Sequence, residues 1–411
     1  MFVKKHLMKR LSRNPALLLT LAGTCLVPQV YPTESPAPSE AKPVKTAHFI
    51  AAGAPGRFCG WPANNGVWTW EGGKEILVGF SEGQFLEQDG HNIVGTAEPP
   101  VGIDSLLARS LDGGKTWKVE EPANFVGKST NLKALPGGIK FNHPDFAMRV
   151  IGRGYHGNDH PSGGFFFSLN RGKDWQGPFN FGSLMENPNL REMDCTSRTG
   201  YLVAGKDSCL IFMSSRARKN GSGRDKSFVA ETTDGGKSFQ FVSWIVPLSD
   251  PHRAVMPSPA RLPDGSLAVA LRRRNPDAKA MEPCWVDCYG SKDNGRTWEF
   301  LSKVGETGGG NGNPPGLTAL KDGRLACAYG DRTRDRMYAR LSEDGGKTWG
   351  GELALRDDFQ ADKFKDHDFG YPRLVQNHKG ELVAIYYWAT KERPNQQIEV
   401  SIWKPEAPKR K

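Results

Sequence analysis

The sequence predicts an all-β fold, a six-bladed β-propeller of four-stranded antiparallel blades, and three observations predict it. The first is an octapeptide pattern, S-x-D-x-G-x-T-W, that occurs five times: SLDGGKTW (110–117), SLNRGKDW (168–175), TTDGGKSF (232–239), SKDNGRTW (291–298) and SEDGGKTW (342–349). Its acidic position falls at Asp112, Asn170, Asp234, Asp293 and Asp344, at intervals of 58, 64, 59 and 51 residues. That period is too long for a one- or two-helix solenoid repeat and suits one propeller blade. The second is a series of short apolar runs beside the motifs: EILVGF (75–80), GGFFFSL (163–169), SCLIFMS (208–214), SLAVALR (266–272), RLACAYG (324–330) and ELVAIYYW (381–388). Several follow Pro-Asp-Gly or Lys-Asp-Gly turns, a hairpin signal. The third is composition: 48 Gly and 29 Pro in 411 residues, about 19 % against roughly 12 % in average usage, with 37 % hydrophobic residues. Such a chain is turn-rich and still has a core.

The elements follow in chain order. Residues 1–27 have a basic start (Lys4, Lys5, Lys9, Arg10, Arg13) and an apolar run, PALLLTLAGTCLV, as a secretory signal peptide does. The expected destination is secreted or periplasmic. Leu21 to Cys25 approaches a bacterial lipoprotein box that Thr24 interrupts, so a lipid anchor at Cys25 stays open as an alternative. Residues 28–45 are polar and proline-rich and read as a linker. Residues 46–405 form one propeller, because about 360 residues divided by 58 give six blades. Residues 406–411 are a basic tail. The last apolar run, 381–388, has no octapeptide after it.

Within the octapeptide, the Ser or Thr and the Asp are placed to bond turn N–H groups, glycine supplies positive φ, and the terminal aromatic packs into the sheet. The repeated acids are therefore structural rather than catalytic. The six cysteines after Cys25 are Cys59, Cys195, Cys209, Cys284, Cys288 and Cys327; most are expected to be buried thiols. Cys284 and Cys288 share one strand about 13 Å apart, beyond disulfide reach. No CxxC or HExxH motif is present, so no metal or other cofactor is expected.

The formal charge is +10, from 55 Lys+Arg against 45 Asp+Glu. Half of it lies in the export segment. The run RARKNGSGRDK (216–226) reads as an exposed hairpin loop; it contains no aromatic on which bases could stack. A nucleic-acid partner is not expected, and no apolar stretch of the mature chain is long enough for a membrane span. GGGNGN (308–313) lacks the lysine of a phosphate loop.

The repeats resemble those of the sialidase (neuraminidase) superfamily, where they are called Asp boxes or bacterial neuraminidase repeats. GWPANNGVW (60–68), NPPGLTALKDGRLACAYGDR (313–332) and YPRLVQNHKGELVAIYYW (371–388) are similar to bacterial secreted proteins labelled exo-α-sialidase. The resemblance implies a retaining exo-glycosidase acting on a glycan with a terminal, anionic sugar. It further implies three arginines on the sugar carboxylate, a Tyr nucleophile assisted by a Glu, and an Asp acid/base. A neutral phenol approaches an anomeric carbon bearing a carboxylate with less repulsion than Asp or Glu would. Arginine pairs with that carboxylate through its rigid fork.

Position by position, Tyr371 in FGYPRLV matches the nucleophile, with Pro372 in place of the family's Ser. Arg272 matches the second arginine. Arg332 is the choice for the third, with Arg334 and Arg336 as competitors. Asp89, in SEGQFLEQDGHNI, matches the acid/base, and His91 lies two residues on. Gly60 stands where the first arginine belongs, leaving Arg57 as the nearest substitute. Met256 stands where the Glu belongs, leaving Asp368 as a candidate activator of the phenol. Asn313 is a further binding candidate, although an Asn before Pro is commonly structural. These departures keep two rivals open: a propeller that binds carbohydrate without turning it over, and a propeller lyase or hydrolase using other residues on acidic polysaccharide. The enzyme reading expects Asp89, Arg272, Arg332 and Tyr371 at one mouth of the channel.

Overall fold

In the computed structural model of the chain, residues 41–86, 93–94, 104–122, 124–125, 131–152, 162–196, 198–218, 225–276, 282–360 and 367–408 are described. Asp89, His91 and the segment containing Cys25 lie outside them. Six antiparallel sheets follow one another along the chain as the six blades of a propeller. Blade 4 is the plainest: Arg253–Arg261, Leu267–Arg274, Cys284–Ser291 and Glu299–Gly308, each paired with the next.

The strand count departs from the expected uniform four. In blade 1 the innermost strand is split by the short helix Pro62–Asn65 into Arg57–Gly60 and Val67–Trp70, both paired with Glu75–Phe85. Asp104–Ser110 and Lys118–Glu120 complete that blade, with Ile93–Val94 as a short addition. Blade 2 has three strands among the described residues, Ala147–Ile151, Gly164–Ser168 and Gln176–Phe179. Blade 3 again has a split inner strand, Met193–Cys195 and Tyr201–Val203, on Cys209–Ala217, followed by Lys226–Thr232 and Gln240–Trp244. Blade 5, from Gly316–Ala319 to Leu353–Arg356, gains a parallel edge strand from Lys42–Pro43, residues read from sequence as linker.

Blade 6 explains the missing sixth motif. Its strands Gly370–Gln376, Leu382–Trp388 and Gln397–Trp403 end the fold, and the outermost strand is Ala47–Ala52 from the other end of the chain. The octapeptide occupies the turn between third and fourth strands. Here no such turn exists, so no octapeptide is needed.

Second strands are buried along their whole length, as in Leu325–Asp331 and Leu382–Trp388, whereas outer strands such as Lys118–Glu120 are largely exposed. A second strand is covered on both faces by neighbouring blades. That is why its sequence is a continuous apolar run rather than an alternating one. All six described cysteines are buried free thiols. Among the described residues no helix is long and apolar enough to cross a membrane.

The octapeptides clamp their turns as their composition predicts. In all five the first hydroxyl accepts from the N–H of the second turn residue after the acid, as Ser110 Oγ does from Gly114 at 2.8 Å. Gly113 and Gly114 take φ of 79° and 100°, a path open to glycine at little cost. Asp112 Oδ1 accepts from the N–H groups of Lys115 and Thr116, and Oδ2 from the Thr116 hydroxyl. The second copy reverses polarity, with Asn170 Nδ2 donating to Asp174 at 2.7 Å. Burial works against the Asp112 charge, but these donors win and hold its carboxyl down at about 2. The folded pKa therefore lies below the unfolded one. The stabilisation is present above about pH 4 and is lost as the pH falls toward 2. Asp112→Ala is expected to cost about 2 kcal/mol. Melting curves should show a lower Tm at pH 7 and convergence with the parent near pH 2.

Candidate active site

In an up-and-down blade the innermost strand begins where the second strand ends, and the turn between third and fourth strands lies at the opposite end. The register places Arg57 opposite Gln84, Arg253 opposite Arg274, and Gly370 opposite Tyr387. Arg272 near the end of a second strand, Arg332 just after another, and Tyr371 near the start of an innermost strand therefore share the mouth remote from the Asp boxes.

Their side chains meet. Arg272 Nη1 donates to Tyr371 Oη at 3.1 Å, and the Arg272 and Arg332 guanidinium carbons lie 5.9 and 5.8 Å from the Tyr371 ring centroid. Arg272 is 3 % exposed, yet among the described residues no carboxylate pairs with it. Buried charges are normally paired. Its neighbour Arg273 points the opposite way, into an ion pair with Asp250 at 2.8 Å and Asp287 at 3.1 Å, as strand alternation requires. Arg332 Nη2 reaches the carbonyl of Phe369 and the hydroxyl of Tyr387, both at 3.2 Å, and Asp368 at 3.4 Å. Its Nε is buried without a partner among the described residues. Of its competitors, Arg334 is held by Asp331 and Glu352, and Arg336 is exposed.

Asp368 accepts from Arg332 and from Tyr387 Oη. Burial first, and then the Asp368 charge, push the Tyr387 hydroxyl well above the ordinary phenol range, so it stays a donor. For Arg332, burial opposes the charged form, but Tyr387, Asp368 and Tyr371 outweigh it and raise its pKa. Arg253 adds a further cation. It binds Asp225 at 2.8 Å, and Arg216 holds the same carboxylate at 3.1 Å. Burial raises the pKa of the Cys284 thiol, and the charges of Arg272, Arg274, Arg332 and Arg253 oppose that rise.

Backbone strain marks the same place. Tyr371 has φ 50° and Met256 φ 57°, both unusual for residues with a side chain. Asn313 is fully buried, and its Oδ1 accepts from the Tyr371 N–H at 2.8 Å. A Cβ at Gly370 would lie 2.2 Å from that oxygen, so only glycine admits the clamp. Asn313 is thereby a residue that positions Tyr371. Met256 belongs to the same apolar cluster as Tyr371, Phe58 and Trp61, so the position aligned with the assisting Glu is buried and carries a thioether instead of a carboxylate.

The first-arginine position is closed differently. A Cβ at Gly60 would lie 2.4 Å from the Phe58 ring, and Arg57 is paired with Glu82 at 3.0 Å, with no hydrogen bond to Tyr371, Arg272 or Arg332 among the described residues. The structure therefore brings Tyr371, Arg272, Arg332, Asp368 and Asn313 together and leaves Arg57 apart; Asp89 and His91 are outside the described residues. Tyr387, Arg253 and Asp225 were missed. Tyr387 is the last residue but one of the apolar run ELVAIYYW (381–388), a position near the end of a second strand, as Arg272 is.

Residues 217–384 match the family model described as a BNR repeat-like domain. No curated protein matches the chain. Among solved structures, the chain is similar to a protein of unknown function from Dyadobacter fermentans, at 19 % identity over 87 % of this chain and 98 % of that one, with a TM-score of 0.60. It is similar to Penicillium chrysogenum α-L-arabinanase complexed with arabinobiose, at 14 % identity, 88 % and 98 % coverage and a TM-score of 0.57. It is also similar to a Trypanosoma rangeli sialidase in complex with a difluoro-nononic acid, at 12 % identity, 82 % and 53 % coverage and a TM-score of 0.51. Identities this low speak for the backbone path alone, a propeller shared with glycoside hydrolases. With five Asp boxes, six blades and the match over 217–384, the chain is a six-bladed propeller that carries a BNR repeat-like domain.

Proposed function

We propose that the protein is an exported, exo-acting glycoside hydrolase of the sialidase type that removes a terminal anionic sugar from glycans with retention. The observation that carries this reading is Arg272: a buried guanidinium that donates to the neutral Tyr371 hydroxyl, beside Arg332 and without a carboxylate among the described residues. A substrate carboxylate would supply the missing charge and form paired hydrogen bonds. Tyr371 Oη then attacks the anomeric carbon as the glycosidic bond breaks, its proton passing to Asp368, and Asp89 protonates the departing oxygen. Water, deprotonated by Asp89, next displaces the Tyr371 oxygen, which takes its proton back from Asp368, and the sugar is released. An ordinary phenol loses its proton near pH 10. The Arg272 donor favours the ionised form that must develop during attack.

Met256 at the position aligned with the assisting Glu and Gly60 at the closed arginine position favour a second reading, a propeller that binds acidic glycans without turnover. Purified protein assayed on fluorogenic sialosides, uronides and arabinofuranosides decides between them. Turnover of an anionic member, with no unsaturated product absorbing in the ultraviolet, is the expected result. Turnover of neutral pentosides alone would overturn the anionic assignment, and glycan-array binding with no turnover would establish the second reading.

A further inference from the structure

Deeper in the channel lies a chamber that shares no lining residue with the Tyr371 cluster. Its volume is about 280 Å³, and Trp68, Phe146, Tyr201, Ser258, Leu317 and Arg373 are among its walls. Arg373 lies two residues beyond Tyr371 on the innermost strand of blade 6. Its guanidinium ties three parts of the wheel together. Nη2 donates to the carbonyls of Ala63 and Thr199, each at 2.5 Å, and Nε to that of Pro62 at 3.4 Å. Nη1 has two N–H groups and no protein partner among the described residues.

The chamber is also lined by four residues with hydroxyls, Thr69, Thr199, Tyr201 and Ser258, of which Thr69 is exposed. Tyr201 Oη already accepts the N–H of Met148 at 3.3 Å, and Ser258 Oγ that of Leu317 at 2.9 Å; neither hydroxyl hydrogen has a protein acceptor among the described residues. The Thr199 hydroxyl is occupied in both directions by Val150. Among the described lining residues there is no Asp or Glu. Burial, and after it the charge of Arg198, lower the pKa of Arg373 to about 10, so its charge is poorly compensated where it stands. A cation, two free hydroxyl donors and no acid make a chamber complementary to an anion. Trp68, Phe146 and Leu317 offer apolar surface to a carbon skeleton.

We infer that this chamber is a second binding site, for a small organic carboxylate held by Arg373 Nη1 and the hydroxyls of Tyr201 and Ser258, with its carbon body against Trp68, Phe146 and Leu317. The proposal is independent of turnover at Tyr371. Benzoate is the probe, measured on the full chain by isothermal titration and saturation-transfer NMR. Wild type is expected to bind it. Arg373→Met should weaken binding about 30-fold and Tyr201→Phe about 5-fold, from the ordinary strengths of charged and neutral hydrogen bonds. Arg272→Met removes the carboxylate-binding guanidinium of the mouth, and the Arg373-dependent binding should persist in it with the affinity of the chamber unchanged. Because Arg373 ties three parts of the wheel, Tyr201→Phe and the chamber-filling Leu317→Phe decide the matter where Arg373→Met fails to fold; Leu317→Phe should abolish binding. No saturation transfer at millimolar benzoate, equal affinity in these variants and wild type, or loss of binding in Arg272→Met would each overturn the assignment. Displacement of benzoate by an equal concentration of inorganic phosphate would overturn the organic-carboxylate class, showing a site for bare oxyanions.

Discussion

Tyr371→Phe is expected to lower kcat on the best anionic glycoside by about 10³-fold or more, at least ~4 kcal/mol of transition-state stabilisation. The substitution removes one oxygen and keeps the ring. The remaining phenyl ring would retain its place in the apolar cluster and its ring contact with Tyr387, and the backbone N–H at that position would still reach Asn313 Oδ1. The strained φ of 50° is held by that clamp and by Gly370, not by the hydroxyl. The fold should therefore persist, and a Tm within a few degrees of wild type is the control. A tyrosine that merely lines the channel would give a variant with altered KM and ordinary kcat. Stopped-flow assays under single-turnover conditions separate the two, since they read the glycosyl-transfer step without product release. Full activity in Tyr371→Phe would end the nucleophile assignment, and with it the retaining route through this residue.

How far the sequence foretold this site depends on how local each signal is. The Asp box is local. Ser110, Asp112, Gly114 and Thr116 lie within seven positions and bond one another, so five copies disclose five blades with no knowledge of the rest. The sixth blade carries no box because its outer strand, Ala47–Ala52, comes from the far end of the chain; there the period had to be extrapolated. Uneven strand counts were not foreseeable from a repeat that marks only one turn per blade. At the site, Arg272, Arg332 and Tyr371 were reached through the resemblance to the sialidase superfamily, whose nucleophile and arginine positions fall in recognisable stretches of this sequence. Arg253 with Asp225 and Arg373 with the Ala63 and Thr199 carbonyls were not. What makes those residues special is their partners, which belong to other blades or to the backbone, and neither leaves a mark near the residue in sequence. Met256 was legible in the opposite sense. The pattern around it called for a carboxylate, and the structure buries a thioether at that position in the apolar cluster that includes Tyr371.

Arg272→Met should produce two effects of opposite sign. The first is loss of function: kcat/KM for an anionic glycoside is expected to fall about 10²-fold, the ~3 kcal/mol typical of a charge-assisted hydrogen bond to a desolvated partner. Most of it should appear in KM, because the carboxylate is bound before and during bond cleavage alike. Any residual activity on a neutral pentoside should be spared by comparison. The second effect concerns stability. Arg272 is buried, and among the described residues its guanidinium is offset by no carboxylate, whereas its neighbour Arg273 lies between Asp250 and Asp287. A buried charge lacking a counter-charge opposes folding, and an unbranched apolar side chain of similar length removes that cost. The Tm of Arg272→Met in the absence of glycan is therefore expected to equal or exceed that of wild type. Arg273→Met should fall well below it, because that substitution strands two buried carboxylates. The contrast is the informative part. An arginine retained for packing loses stability when replaced, and an arginine retained for a ligand loses the ligand. Melting curves of the two variants beside wild type, repeated with an anionic glycan present, test which kind Arg272 is. Wild type alone should be stabilised by the glycan, and a drop in the Tm of Arg272→Met as large as that of Arg273→Met would make Arg272 a structural residue and remove the main support for an anionic substrate.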